Sequence, residues 1–156
     1  MALVRILVDG YSLLHAWPEL APGRPRHSAA ARDELIQRLT RYQDATSTPI
    51  TIFFDGAGAP TGTPAPVSTP EVEIIYSRGQ QTADDLIERA VHRFLDYGEV
   101  LAVTDDSLER QTVGSLGGLA SCCWNFIQTV EQALADEAAD LKHYNRRERR
   151  RFQSRH

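Results

Sequence analysis

Three apolar runs in this chain each stop at an aspartate. Leu3-Val4-Arg5-Ile6-Leu7-Val8 ends in Asp9-Gly10, Ile50-Thr51-Ile52-Phe53-Phe54 ends in Asp55-Gly56, and Glu99-Val100-Leu101-Ala102-Val103 ends in Thr104-Asp105-Asp106. Short β-branched-rich runs closed by a turn signal read as buried strands of a parallel sheet. In open α/β sheets, ligands bind outside the carboxyl ends of the strands. A carboxylate repeated at that place is set for chemistry, although each Asp can equally cap the next turn or helix.

The rest of the chain fills in around these strands. Residues 12–17 suit a short helix stopped at Pro18, with Leu13, Leu14 and Trp17 on its apolar side. His15 beside that cluster is a packed residue or a site group. Residues 21–27 form a Pro/Gly/Arg loop holding Arg24 and Arg26, which are phosphate contacts or plain exposed charges. Ser28 reads as the N-cap of a helix over 29–44, with Leu35, Ile36, Leu39 and Tyr42 on one stripe. Arg32, Arg38 and Arg41 fall toward its polar side. Residues 57–70, rich in Pro, Gly, Thr and Ala, make a long loop beside the presumed site, or a tolerated insertion.

Residues 72–76 read as a further strand, followed by a loop with Arg78. Thr82 caps a helix opened by Asp84 and Asp85, acids that also complement the helix dipole. Residues 107–115 and 121–139 are expected to be helical, with Gly117-Gly118 as a turn between them. The pattern strand, helix, strand, strand, helix, strand, helix, helix predicts an α/β fold, a three-layer α/β/α sandwich on a mainly parallel sheet. Its length of 156 residues suits one domain with a sizeable core. Parallel strands bring Asp9, Asp55, Asp105 and Asp106 to one edge, with Asp84 and Asp85 opening a helix there. Carboxylates so gathered raise one another's pKa or demand a cation, and Mg²⁺ or Mn²⁺ suits oxygen ligands. Such ions activate water for phosphodiester cleavage.

Other chemistries lack their motifs. The chain has no GxGxxG, P-loop or GxSxG sequence and no His/Cys spacing for zinc. An aspartyl-nucleophile phosphatase often carries a second acid two residues after the first, and Tyr11 stands there. No apolar run approaches the ~20 residues of a membrane span, and no secretory leader order is visible. Cys122 and Cys123 are adjacent and read as buried reduced thiols, which suits a cytoplasmic location.

The charge is split along the chain. Residues 142–156 carry seven Lys and Arg against Glu148, a net +6, so residues 1–141 carry −10 within a total of −4. Residues 1–141 are taken as the domain and 142–156 as a basic tail. An acidic body with a basic tail suggests nucleic acid as partner.

Four blocks in register then resemble one family. Leu7-Val8-Asp9-Gly10-Tyr11-Ser12-Leu13-Leu14, Phe53-Phe54-Asp55-Gly56, Thr82-Ala83-Asp84-Asp85-Leu86-Ile87 and Val103-Thr104-Asp105-Asp106-Ser107-Leu108-Glu109-Arg110 are similar to the YacP-like branch of the NYN domains, within the PIN-like nuclease superfamily. The resemblance covers residues 3–139. It implies a PIN-like α/β/α fold and metal-dependent endoribonuclease activity with Mg²⁺ or Mn²⁺. It assigns Asp9, Asp84 and Asp106 as catalytic acids and metal ligands, with Asp85 and Asp105 as further candidate ligands. Asp55 matches the Asp-Gly after the second strand. Where the family often has Asn, this chain has Ser12, which offers one hydroxyl in place of an amide. Ser12, Arg24, Arg26, Arg78, Arg146, Arg147 and Arg150 are the expected RNA contacts, with the ribosome as a candidate partner. The competing class is a non-catalytic RNA- or ribosome-binding module with a degenerate site.

Overall fold

The computed structural model describes residues 3–56 and 68–154. Five strands form one sheet in the order β3-β2-β1-β4-β5, and every neighbouring pair is parallel. They are β1 (Leu3–Asp9), β2 (Ile50–Phe54), β3 (Val72–Tyr76), β4 (Glu99–Val103) and β5 (Leu119–Ser121). The helices are α1 (Gly10–Ala16), α2 (Ala29–Thr46), α3 (Ala83–Phe94), α4 (Ser107–Ser115) and α5 (Cys123–Ser154), with a 3-10 turn at Pro18–Leu20. The long loop expected over 57–70 lies mostly outside the described residues.

Alternation along the strands sorts the core into two faces. Ile6, Val8, Ile50, Ile52 and Phe54 point to one side and pack on α1, α2 and α5. Leu7, Phe53, Val100 and Ala102 point to the other and pack on α3 and on Val113 of α4. Arg5 interrupts the apolar run of β1 without breaking it. Its guanidinium lies 4.6 Å from the centroid of the Phe94 ring and donates to Thr51. The stem covers an apolar surface while the charge stacks on an aromatic ring.

The connections place the site. From β1 the chain steps outward to β2 and β3, then returns across the sheet to β4 on the other side of β1. The gap between the carboxyl ends of β1 and β4 is therefore the topological switch point, the crevice where such sheets bind ligands. Asp9 ends β1, and Thr104-Asp105-Asp106 come directly after β4.

Several expectations need correction. β5 was not expected, because three exposed or half-exposed residues carry no apolar run. Its place is set by pairing with β4 and by Gly118, where a Cβ would come 2.9 Å from Val113. α5 begins at Cys123 and runs unbroken to Ser154, so the basic residues of the tail continue the same helix. Trp124, in the first turn of α5, is 66 % exposed. Of the two thiols, Cys123 is buried and Cys122 half-buried. Arg32 is 5 % exposed, on what was expected to be the polar side of α2.

Gly10 shows how tightly the turn after β1 is packed. A Cβ there would stand 2.4 Å from the ring of Phe54. Phe54 is fully buried, with Tyr11 and Tyr76 against it at 5.1 and 5.3 Å between ring centroids. Gly10→Ala should therefore cost about 1–3 kcal/mol by overpacking. Denaturant melts measure this, and an unchanged midpoint would show that the Phe54 ring moves aside freely.

Candidate active site

Asp9 performs two tasks with its two oxygens. Oδ1 accepts the Ser12 N–H at 3.3 Å and so caps α1, while Oδ2 accepts the Thr104 hydroxyl at 3.4 Å. The capping expected of Asp9 is present, and it leaves Oδ2 turned toward the end of β4. Thr104 is fully buried, and its hydroxyl oxygen also accepts the Asp106 N–H at 3.2 Å. One hydroxyl thus ties the end of β1 to the turn after β4. Arg110 donates to the Thr104 carbonyl at 2.9 Å and braces the same turn from α4.

Asp106 caps α4, accepting the Leu108 and Glu109 N–H groups at Oδ1 alone, 3.0 and 3.4 Å away. Asp84 lies in the first turn of α3, half-buried. Burial is the main reason that the pKa of Asp9 is pushed up to about 6, with repulsion from Asp84 and Asp106 adding to it. The pKa of Asp84 is raised by burial first, then by Asp106, Glu88, Asp85 and Asp55. The three expected catalytic acids therefore share one electrostatic neighbourhood.

Asp85, Asp105 and Asp55 stand around that group in fixed roles. Asp85 completes a capping box with Thr82, accepting its N–H at 3.1 Å. Asp105 accepts the Cys123 N–H at 2.8 Å at the start of α5. Asp55 accepts the Ser77 hydroxyl at 3.2 Å. Ser12 points its hydroxyl at the loop after β4, accepting the Asp105 N–H at 2.9 Å and the Cys123 thiol at 3.7 Å. It reaches Asp9 only through its backbone N–H.

Two acids were missed in the sequence, Glu109 and its neighbour Glu88. Glu109 is 5 % exposed, and its Oε1 has no hydrogen-bond partner among the described residues. Burial, a hydrogen bond with Glu88 and repulsion from Asp84 and Asp106 push its pKa well up. Its spacing from Asp106 is that of a capping box, which would send the carboxylate back to the Asp106 N–H. Thr104 already holds that N–H, so Glu109 turns inward toward Glu88. Only the occupied cap distinguishes the two outcomes.

The basic residues divide into two groups. Arg24 and Arg26 lie in the exposed loop before α2, and Arg26 reaches His15 at 3.2 Å. Arg78 is exposed just beyond β3. All three lie at the carboxyl edge of the sheet, with the acids. Arg146, Arg147 and Arg150 do not. α5 starts at that edge and runs away from it for 32 residues, roughly 48 Å at 1.5 Å per residue. Residues 135–151 of it are exposed.

The donor set suits a hard divalent cation, being carboxylates with one orphaned buried oxygen nearby. Among the described residues no three Asp, Glu, His or Cys side chains already converge as a finished cage. The acids instead repel one another across a gap.

The raised pKa of Asp9, due to burial first and to that repulsion second, has a measurable sign. An acid whose folded pKa is raised binds more protons folded than unfolded, so stability falls as pH rises. For Asp9 the loss runs from about pH 4 to about 6. In chelator, Asp9→Asn should remove this slope and leave the protein about 1–3 kcal/mol more stable at pH 7.5. Denaturant melts at pH 4.5 and 7.5 test it; a variant no more stable at 7.5 would mean that the carboxylate is not strained.

Comparisons with known proteins bear on the family and the fold. A family model described as the YacP-like NYN domain matches residues 6–156. An uncharacterised protein of Bacillus subtilis (strain 168), YacP, is 29 % identical over 127 residues, 81 % of this chain and 74 % of that protein. The crystal structure of Rae1 (YacP) from Bacillus subtilis has 26 % identity and a TM-score of 0.75, covering 91 % of this chain and 80 % of the other. A point mutant of the same protein gives a TM-score of 0.77 at 24 % identity, covering 92 % and 84 %.

Proposed function

The chain belongs to the YacP-like NYN domain family, and from that membership and the site geometry we propose that it is a metal-dependent endoribonuclease. The family lies within the PIN-like nuclease superfamily, which supports an RNase-type activity. The observation that carries the finer reading is the grouping of Asp9, Asp84 and Asp106 at the switch point, where Asp84 and Asp106 add to the burial that raises the pKa of Asp9, and Asp106 adds to that of Asp84.

Asp9, Asp84 and Asp106 would hold one or two Mg²⁺ or Mn²⁺ ions, with Asp85 and Asp105 at the rim. The bound ion supplies an activated water and charge neutralisation for phosphodiester hydrolysis. The chain's own part is preorganisation. Thr104 fixes Asp9 relative to Asp106, and Ser12 anchors the Asp105 loop on α1. Burial and the hydrogen bond with Glu88 push the pKa of Glu109 up to about 8, which limits the negative charge that RNA meets. Arg24, Arg26 and Arg78 hold phosphates at the site edge without reading sequence.

Arg146, Arg147 and Arg150 hold RNA far from the acids, which suits a long or structured substrate such as RNA on a ribosome. No described helix is long and apolar enough to cross a membrane, and a cytoplasmic location fits this substrate.

Cleavage of RNA with Mn²⁺, with Mg²⁺ and with chelator tests the activity. Asp106→Asn should lower the metal-dependent rate by about 100-fold or more, the scale of losing one preorganised electrostatic group. RNA affinity should hold or rise, since a negative charge is removed. Binding without cleavage in the wild type, insensitive to chelator, would instead favour the non-catalytic binding module.

The helix end has its own test. Truncation after Leu141 should weaken binding of long RNA and flatten its dependence on salt, because phosphate contacts release counterions. An unchanged salt slope would rule out a phosphate-binding role for that end.

A further inference from the structure

Arg32 is a buried cation without a counter-charge. Its Nη1 donates to the His27 carbonyl at a long 3.4 Å, and it forms no ion pair among the described residues. A guanidinium carries five donors and stays charged at any working pH. Burying one is costly unless an anion meets it.

Two further donors face the same region unused. The hydroxyls of Tyr11 and Tyr76 are both buried and, among the described residues, without a hydrogen-bond partner. Their rings cannot easily swing toward water. Tyr11 stacks on His27 at 4.7 Å and 8°, and both tyrosines pack on Phe54. Burial raises the pKa of the Tyr76 hydroxyl, and Arg32 is near enough to oppose that rise. Tyr11 and the exposed Asp33 add smaller repulsions. Arg32 opens α2, Tyr76 ends β3, and Tyr11 lies two residues beyond Asp9, so all three stand at the carboxyl edge of the sheet.

We propose that Arg32, Tyr11 and Tyr76 form a subsite for a phosphate group of the RNA strand, an inference that rests on the ribonuclease reading. A forked guanidinium matches two phosphate oxygens, and phenol hydroxyls donate to the others. The subsite packs on the α2 face of the sheet, whereas Glu88 and Glu109 lie on the α3–α4 face. A strand held there crosses the sheet edge past Asp9. The phosphate is an internal diester, with two non-bridging oxygens, or a terminal monoester, with three, and either can meet the guanidinium fork with two of them.

The full chain in chelator tests this with labelled short RNA, bearing either a 5′-hydroxyl or a 5′-phosphate. Tyr76→Phe removes only an unpartnered hydroxyl, so it should melt at the same or a higher temperature. It should nevertheless bind RNA about tenfold more weakly, the scale of a hydrogen bond to a charged group. Arg32→Gln should also reduce the slope of log affinity against log salt by about one. Equal losses on both RNAs support a diester, and losses confined to the 5′-phosphorylated strand support a terminal monoester. Unchanged affinity in Tyr76→Phe, with wild-type RNA binding intact, overturns the subsite and leaves the ribonuclease reading standing. Inorganic phosphate followed by NMR separates the remaining cases. If the wild type binds no RNA but phosphate shifts the Arg32 and Tyr76 signals, the anion site stands and the ribonuclease reading falls. Binding of neither overturns both.

Discussion

The buried hydroxyl of Thr104 is the contact on which the candidate site depends. Parallel pairing of β1 with β4 brings two strand ends side by side, but pairing alone does not orient the residues beyond those ends. Thr104 donates to Asp9 and accepts from the Asp106 N–H. The donated bond holds one carboxylate, and the accepted bond sets the turn from which the second projects. A valine of the same shape would leave the Asp9 oxygen and the Asp106 N–H unsatisfied together, and unsatisfied buried groups cost more than a hydrogen bond gains. No local segment could supply this tie, because the Thr104–Asp9 bond links residues 95 positions apart.

Around that bond, the fold accepts electrostatic strain. Asp9, Asp84, Asp106, Glu88 and Glu109 come together although like charges at short range oppose folding. The helix termini offset part of this cost. Asp106 and Asp9 accept N–H groups at the starts of α4 and α1, and Asp84 sits in the first turn of α3, where the dipole favours negative charge. Three helix N-termini aimed at one edge make an acidic cluster tolerable without any cation from the chain's own side chains.

Much of this was legible because the strands are simple. Buried parallel strands need apolar residues on both faces, so β2, β3 and β4 stand out with their bounds, and the aspartates mark their ends. The family blocks fall on the same residues. The features that escaped were set by tertiary contact. β5 has no pattern of its own, and only its pairing with β4 makes it a strand. Arg32 reads as polar-face by helical spacing, yet it is buried near the end of β3, which spacing within α2 cannot report. Glu109 reads as a cap and becomes a buried acid because Thr104, five residues earlier, has taken the N–H it would use. The distance of Arg146, Arg147 and Arg150 from the acids depends on α5 running on without a break, and no breaker in the sequence opposes that.

The arrangement of charge comes from these placements. Acids fill the switch point and the α3–α4 face beside it, while the cationic groups at the same edge, Arg24, Arg26, Arg32 and Arg78, belong to the loop before α2, to α2 itself and to the end of β3. A polyanion approaching this edge is repelled at its centre and attracted at one flank. Its phosphates would register on that flank first, with the acidic centre approachable only where a divalent cation intervenes. Such an order separates binding from chemistry. On the proposed reading, affinity would reside in residues that do not touch the acids, and the need for a cation would reside in the acids. The same division explains how Asp9 can serve as a helix cap and a site residue: its capping oxygen faces α1, and its other oxygen faces the strand end where the charges meet.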